Sequence, residues 1–297
     1  MPTSTDTKDT LARARDTEIH TRDACIAGDT SERQDSESDT GLVAHGLTAG
    51  YVHGHRRIPI VTDAAFAIPS AHLAVMVGRN GSGKSTLLRT LAGIQAPLGG
   101  HVCVHGHDIR GIGARRLARL IAMVFPTAAG TGAGALTVYE ATALGRHPHT
   151  GITGHLGDDD RRIVHEAIEA VGLSHKADTP LAALSDGLRQ KAMIARALAQ
   201  QTPVIIMDEP TAFLDVPSRH ALMELVAELA HQHARTVLLS THDVAPALEA
   251  GADSVIIVDA GHASMLGTDN VAEALSSLYA GDGITYDPGA HDFRPVK

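Results

Sequence analysis

The sequence predicts an α/β fold built on a largely parallel sheet, and three observations carry that reading. Short apolar runs suited to buried strands alternate with helix-periodic stretches. The nonapeptide Gly78–Thr86, GRNGSGKST, lies between the apolar run Leu73–Val77 and the helix-periodic Lys84–Ala92. A second apolar run, Val204–Met207, ends in two adjacent carboxylates, Asp208 and Glu209.

In chain order, residues 1–40 form a separate compositional zone. Lys8, Arg13, Arg15, Arg22 and Arg33 face ten carboxylates there, so five of the nine net negative charges fall in this zone. Apolar residues are scattered without period, which predicts a disordered acidic tail. From Gly41 the composition becomes that of a packed domain, 41–297. Val43–Thr48, Val61–Ile68, Leu73–Val77, His101–Val104 and Ile121–Phe125 read as strands. The block Leu136–Gln200 reads as helical, with Val138–Leu144, Asp158–Val171 and Gly187–Gln200 as its helices, and looks like an insertion into the sheet at about 128–200. Strands resume at Val204–Met207, Thr236–Leu239 and Ser254–Val258, with a helix over Ser218–His231.

The nonapeptide fits G-x-x-x-x-G-K-[ST], with Gly78, Gly83, Lys84 and Ser85 in the required places. In a strand–loop–helix setting its glycines let backbone N–H groups converge on phosphate oxygens, and the helix N-terminus adds its positive end. Lys84 supplies a point charge for the β- and γ-phosphates and the Ser85 hydroxyl can ligate Mg²⁺. Gly78, Asn80, Gly81, Ser82, Gly83, Lys84, Ser85 and Thr86 are therefore candidate ligands of a nucleoside triphosphate, with ATP and Mg²⁺ as the expected cofactors. Asp208, at the C-terminal end of an apolar strand, is placed where α/β sheets bind ligands and can hold Mg²⁺ through its water shell. Glu209 is then placed to polarise an attacking water.

Composition bounds the rest. The chain has 297 residues, 43% hydrophobic and 20% charged, with a net charge of −9, which gives no basic groove for nucleic acid. No apolar stretch approaches the roughly 20 residues that span a bilayer, and no signal-peptide core is read at the N-terminus. Two cysteines, Cys25 and Cys103, make no disulfide framework and suit a reducing compartment. Among nineteen histidines, His101 and His105 alternate with Cys103 along a probable strand at spacing compatible with metal ligation; a solvated strand face explains them equally well.

Leu184-Ser-Asp-Gly-Leu-Arg-Gln190 opens an amphipathic helix between the two phosphate-handling segments. With it the chain, from about Gly41 onward, resembles the nucleotide-binding subunits of ATP-binding cassette transporters, with the family's motifs in order. Thr211-Ala-Phe-Leu-Asp215 looks like the D-loop, Ser240-Thr-His-Asp243 like the segment carrying the switch histidine His242, and Tyr51 like the aromatic residue that stacks on adenine. The resemblance implies a phosphate-loop core with an antiparallel β-subdomain and an inserted helical subdomain. It also implies a head-to-tail homodimer, in which Ser185, Asp186 and Gly187 meet the partner's nucleotide, attached to two membrane permease subunits at the cytoplasmic face of the membrane. Leu136–His149, Leu184–Gly187 and the C-terminal Ile284-Thr-Tyr-Asp-Pro and Asp292-Phe-Arg resemble the importer branch that serves ferric siderophores, haem and cobalamin, in which a substrate-binding protein delivers the cargo.

Three positions depart from the family pattern. Asp186 and Leu188 replace a glycine and a glutamine of the signature, and Thr127 stands where a glutamine senses Mg²⁺ and the membrane subunit. A threonine is too short for the same reach, which touches coupling to the permease rather than ATP binding. The rival readings are an importer of another metal or small solute, a non-transport cassette protein, a phosphate-loop kinase and a degenerate cassette. The first is not separated by these motifs. The second usually carries two cassettes or a coiled coil, the kinase has no use for Leu184–Gln190, and Glu209 with His242 speaks against the last.

Overall fold

Strands that are apolar at every position need a partner on both faces, and that demand organises this protein. The computed structural model describes residues 40–126, 135–151, 154–212, 214–289 and 292–295. An antiparallel sheet forms first in the chain from β1 (Thr40–His53), β2 (Arg56–Pro69), β4 (Gly99–Val104) and β5 (His107–Asp108), in the order β2-β1-β4-β5. The central sheet has five parallel strands, β3 (Leu73–Val77), β6 (Ile121–Val124), β7 (Val204–Met207), β8 (Thr236–Ser240) and β9 (Ser254–Asp259). An antiparallel edge strand, β10 (His262–Gly267), completes the spatial order β10-β9-β3-β8-β7-β6.

The two faces of the central sheet point into two cores. Leu73, Val75 and Val77 of β3 join Ile205 and Met207, Val237 and Leu239, and Val255 and Ile257 in one apolar cluster. The alternate residues Ala74, Met76, Val204, Ile206, Leu238, Ile256 and Val258 belong to the other. Period-two alternation therefore sorts one continuous apolar run between two layers. The second core is closed by the antiparallel sheet and by α1 (Lys84–Leu91), whose Leu87, Leu88 and Leu91 are fully buried in it. The short α2 (Ala114–Leu117) leads into β6.

The first core is closed by helices. α3 (Val138–Ala143), α4 (Asp158–Ala170) and α5 (Asp186–Ala199) pack on one another, and α6 (Val216–His231) covers β3 and β8. Thr137 and Glu140 form a reciprocal capping box at the start of α3, and Asp215 caps α6 ahead of Pro217 in its first turn. Buried Arg146 joins these helices: its Nε lies 2.8 Å from Asp160 at the start of α4, and its Nη1 donates to the Ala199 carbonyl at 2.7 Å and to Gln201 at 3.0 Å. After α7 (Ala245–Glu249) and the β9–β10 hairpin, α8 (Val271–Leu278) buries Val271, Leu275 and Leu278, and a hairpin of β11 (Ile284–Asp287) and β12 (Asp292–Pro295) follows.

Several expectations shift against these elements. Thr40, assigned by composition to the tail, already pairs with Pro69 in β1, and the rest of the tail lies outside the described residues, as does Thr127. The helix expected from Gly187 starts at Asp186, because the Ser185 side chain caps it. β10 was not expected: its HASMLG run is polar and half-exposed, and only pairing with β9 makes it a strand. Cys103 is disulfide-bonded rather than a free thiol, and Cys25 lies outside the described residues.

Candidate functional site

The parallel register places three candidate segments at one edge of the central sheet. β3 ends at Val77 and runs into the phosphate loop; β7 ends at Met207, one residue before Asp208; β8 ends at Ser240, two residues before His242. Close approaches explain two of the loop's glycines, Gly78 and Gly83. A β-carbon on Gly78 would lie 2.3 Å from the Val258 carbonyl oxygen, and Gly83 adopts φ +106° with a β-carbon position 2.6 Å from Ile60 Cγ2. A side chain at either position would disrupt the passage from β3 into α1.

Lys84 is 5% exposed, and its ammonium donates to the Gly78 carbonyl at 2.7 Å and to the Arg79 carbonyl at 3.2 Å. Two of its three donors thus hold the loop closed on itself, leaving one for a ligand. Burial pushes the Lys84 pKa down, and the nearby Glu209 and Asp208 carboxylates act in the opposite sense. Asp208 is itself 3% exposed and accepts hydrogen bonds from Ser85 Oγ at 3.1 Å and Ser240 Oγ at 2.9 Å. The hydroxyl of Ser85 and the carboxylate of Asp208 meet as hard oxygen donors, the donor set Mg²⁺ takes.

Glu209 takes the left-handed conformation, φ +47°, which is costly for a residue with a side chain. Its backbone N–H is tied to Ser240 Oγ at 2.9 Å, and its carboxylate Oε1 lies 2.6 Å from His242 Nε2. The two expected catalytic candidates are therefore direct partners. Tyr51, at the exposed end of β1, hydrogen-bonds through its hydroxyl to Thr86 Oγ1 at 2.8 Å, so its ring stands beside the start of α1.

Other expected residues lie apart from this group. Ser185 caps α5 by accepting from the Leu188 N–H at 3.4 Å, and Asp186 pairs with Arg189 at 2.6 Å. Arg189 donates to the Leu181 and Leu184 carbonyls in the turn before α5. Asp215 accepts from the Ser218 N–H at 2.9 Å as the cap of α6. The candidate metal face on β4 is also rearranged. The strand ends at Val104 and His105 turns away at φ +45°, while His45 of β1 is brought opposite His101 and stacks on it at 4.7 Å. The ligand atoms of His45, His101 and Cys103 fall within 4.8 Å of one another, but the Cys103 sulfur is committed to a disulfide.

Ser240 is the functional position that sequence reasoning missed. It is fully buried and bridges the two carboxylate residues, donating to one and accepting from the backbone of the next. The signal was a hydroxyl closing an apolar strand; what was needed besides was the β7–β8 register, which pairs Met207 with Leu239 and so sets Asp208 beside Ser240.

Comparison with known proteins places this geometry in context. The family model described as "ABC transporter" matches residues 61–212. The ferric enterobactin transport ATP-binding protein FepC of Escherichia coli K12 is 36% identical over 209 residues, 70% of this chain and 75% of that protein. The iron(3+)-hydroxamate import ATP-binding protein FhuC of Bacillus subtilis 168 is 37% identical over 185 residues, 62% of this chain and 68% of that one. A nucleotide-free ATP-binding cassette from an ABC transporter superposes with a TM-score of 0.71 at 22% identity, covering 80% of this chain and 95% of that structure, which is a likeness of fold.

Proposed function

This chain belongs to the ABC transporter family, and from that premise we propose that it is the ATP-hydrolysing subunit of a membrane importer that takes up a metal chelate: a ferric siderophore, haem or cobalamin. The observation that supports it most is the convergence of Lys84, Asp208, Glu209 and His242 at one sheet edge, in a chain whose relatives are named for iron-chelate import.

In this reading the loop amides of residues 78–86 cradle the phosphates and the free donor of Lys84 meets the β- and γ-phosphate oxygens. Ser85 and Asp208 would hold Mg²⁺, which would supply positive charge against that developing on the phosphate oxygens. Tyr51 stacks on adenine, with its hydroxyl anchored on Thr86. Glu209 accepts a hydrogen bond from the water that attacks the γ-phosphorus in line; the bond to the β-phosphate oxygen breaks and ADP and phosphate leave. His242 holds the Glu209 carboxylate in place and reports the γ-phosphate. Ser240 keeps both carboxylates in register.

Ser185 and Gly187 open a helix N-terminus whose amides suit phosphate, with the Asp186 carboxylate there paired to Arg189, and we assign all three to the nucleotide of a partner subunit in a head-to-tail dimer, with Asp215 at the same junction. Among the described residues no helix is long and apolar enough to cross a membrane. From the importer names of the relatives we assign this chain to an assembly with two integral membrane subunits, at their cytoplasmic face, with an extracytoplasmic binding protein supplying cargo. We assign the permease contact to the segment around residues 127–149, which begins with Thr127. The test is reconstitution with the membrane subunits in vesicles, offering ferric siderophore, haem and cobalamin separately. ATP-dependent accumulation of one of them is expected; coupling only to an unchelated metal or another solute would overturn the cargo reading, and failure to associate with any membrane subunit would overturn the transport reading.

A further inference from the structure

The C-terminal segment reaches back to the phosphate loop through one side chain. Arg79 occupies a position that the G-x-x-x-x-G-K-[ST] pattern leaves open, yet its guanidinium makes a two-pronged ion pair with Asp282, Nη1 to Oδ2 at 2.5 Å and Nη2 to Oδ1 at 3.3 Å. The same guanidinium lies over the Tyr279 ring, 5.9 Å from its centroid. Asp259, at the end of β9, adds a weaker attraction.

The platform behind Asp282 is built, not loose. α8 is fixed in the first core by Val271, Leu275 and Leu278. Ser276 Oγ accepts the Tyr286 N–H at 3.0 Å and bonds Thr285 Oγ1 at 3.1 Å, tying α8 to β11. Phe293 packs edge-on against both Tyr279 and Tyr286, with centroids 4.8 and 5.3 Å apart. Arg79 is thus the place where a folded unit outside the nucleotide site grips the loop that forms it. The backbone of the same residue is held from the other side by Lys84.

A guanidinium fork fits a phosphate as well as it fits a carboxylate. The Arg79 carbonyl lies 3.2 Å from Lys84 Nζ, the cation that faces the β- and γ-phosphates. An extended arginine carries its guanidinium roughly 6 Å from Cα, so a rotamer change brings it within reach of the same phosphates. Resting on the nucleotide reading above, we propose that Arg79 is an additional ligand of the triphosphate and that Asp282, presented by the C-terminal segment, is its intramolecular competitor, so that this segment sets nucleotide affinity.

The test compares full-length wild type, Asp282→Asn, Arg79→Ala and the double variant for binding of adenylyl imidodiphosphate and ADP with Mg²⁺. Asp282→Asn should tighten triphosphate binding about threefold, the size expected for releasing an exposed ion pair, with a smaller change for ADP. Arg79→Ala should weaken triphosphate binding, and the double variant should match Arg79→Ala alone. Asp282→Glu, which keeps the charge, should stay within twofold of wild type and serves as the folding control. Unchanged or weaker triphosphate binding in Asp282→Asn, or a gain that persists without Arg79, overturns the proposal. Lys84→Ala separates the two levels: if it binds nucleotide as wild type does, the phosphate-loop reading itself fails, whatever Arg79 does.

Discussion

Replacing Ser240 by alanine should damage the site and the fold together. The hydroxyl is fully buried, donates to Asp208 Oδ1 at 2.9 Å and accepts from the Glu209 N–H at 2.9 Å. Its loss leaves one backbone donor without this partner and takes one of two hydroxyl donors from a buried carboxylate. A neutral bond contributes about 1 kcal/mol and one to a charged group about 1.5–3 kcal/mol, so the expected destabilisation is about 2–4 kcal/mol. For a domain of this size that lowers the melting temperature by about 5–12 °C. Catalysis should suffer separately. The left-handed conformation of Glu209, φ +47°, is held in part by the Ser240 bond, and its relaxation should move the carboxylate away from the place proposed for the attacking water. Turnover should fall about tenfold or more while nucleotide affinity changes less. Scanning calorimetry and a steady-state ATPase assay, with binding measured in parallel, read these effects. Ser240→Thr keeps the hydroxyl and adds a methyl group in a fully buried position, so it should lose stability with less loss of turnover. An alanine variant melting within 2 °C of wild type and turning over within twofold of it would refute the bridging role.

Other outcomes follow from the same bookkeeping of partners. Arg146→Met keeps bulk but strands Asp160 and the Ala199 carbonyl, so the denaturation midpoint in urea should fall by an amount equivalent to about 2–4 kcal/mol; an unchanged midpoint would remove Arg146 from the helix-joining role. Asp253 accepts from His231 Nε2 at 2.9 Å and from the Leu73 N–H at 2.8 Å. Burial raises the Asp253 pKa, but these two hydrogen bonds and the charges of His72 and His231 bring it below the ordinary carboxylate value. A depressed folded-state pKa gives stability that is present above the unfolded value, near pH 4, and is lost as pH falls through the folded value. Asp253→Asn should therefore be less stable than wild type by about 1–2 kcal/mol at pH 7, with the gap closing below about pH 4. A gap that stays constant down to pH 3 would assign the effect to packing.

The candidate residues of the site were more legible in the sequence than its geometry. Lys84 and Ser85 could be named as candidates because phosphate binding demands particular residue types at fixed spacing along one strand–loop–helix, and Asp208 and Glu209 because they follow a separate apolar strand. The strands of the central sheet were equally visible as uninterrupted apolar runs. What the sequence did not carry is register across strands. Ser240 meets Asp208, and His45 meets His101, only because of which strands neighbour each other and how they are aligned. The edge strand β10 escaped for a related reason: its polar, half-exposed residues acquire strand character from β9. The ion pair between Arg79 and Asp282 joins residues 203 positions apart, beyond any local pattern.

The most direct test of the account measures ATP hydrolysis by wild type and Glu209→Gln alongside their nucleotide affinity. The amide keeps the shape of the carboxylate and its proximity to His242 but cannot polarise water in the same way. The expected result is unchanged ATP binding, turnover reduced at least a hundredfold, and an ATP-dependent dimer that persists in light scattering. Wild-type turnover in Glu209→Gln with intact binding would contradict the assignment of this carboxylate, and with it the hydrolytic mechanism built on this edge of the sheet.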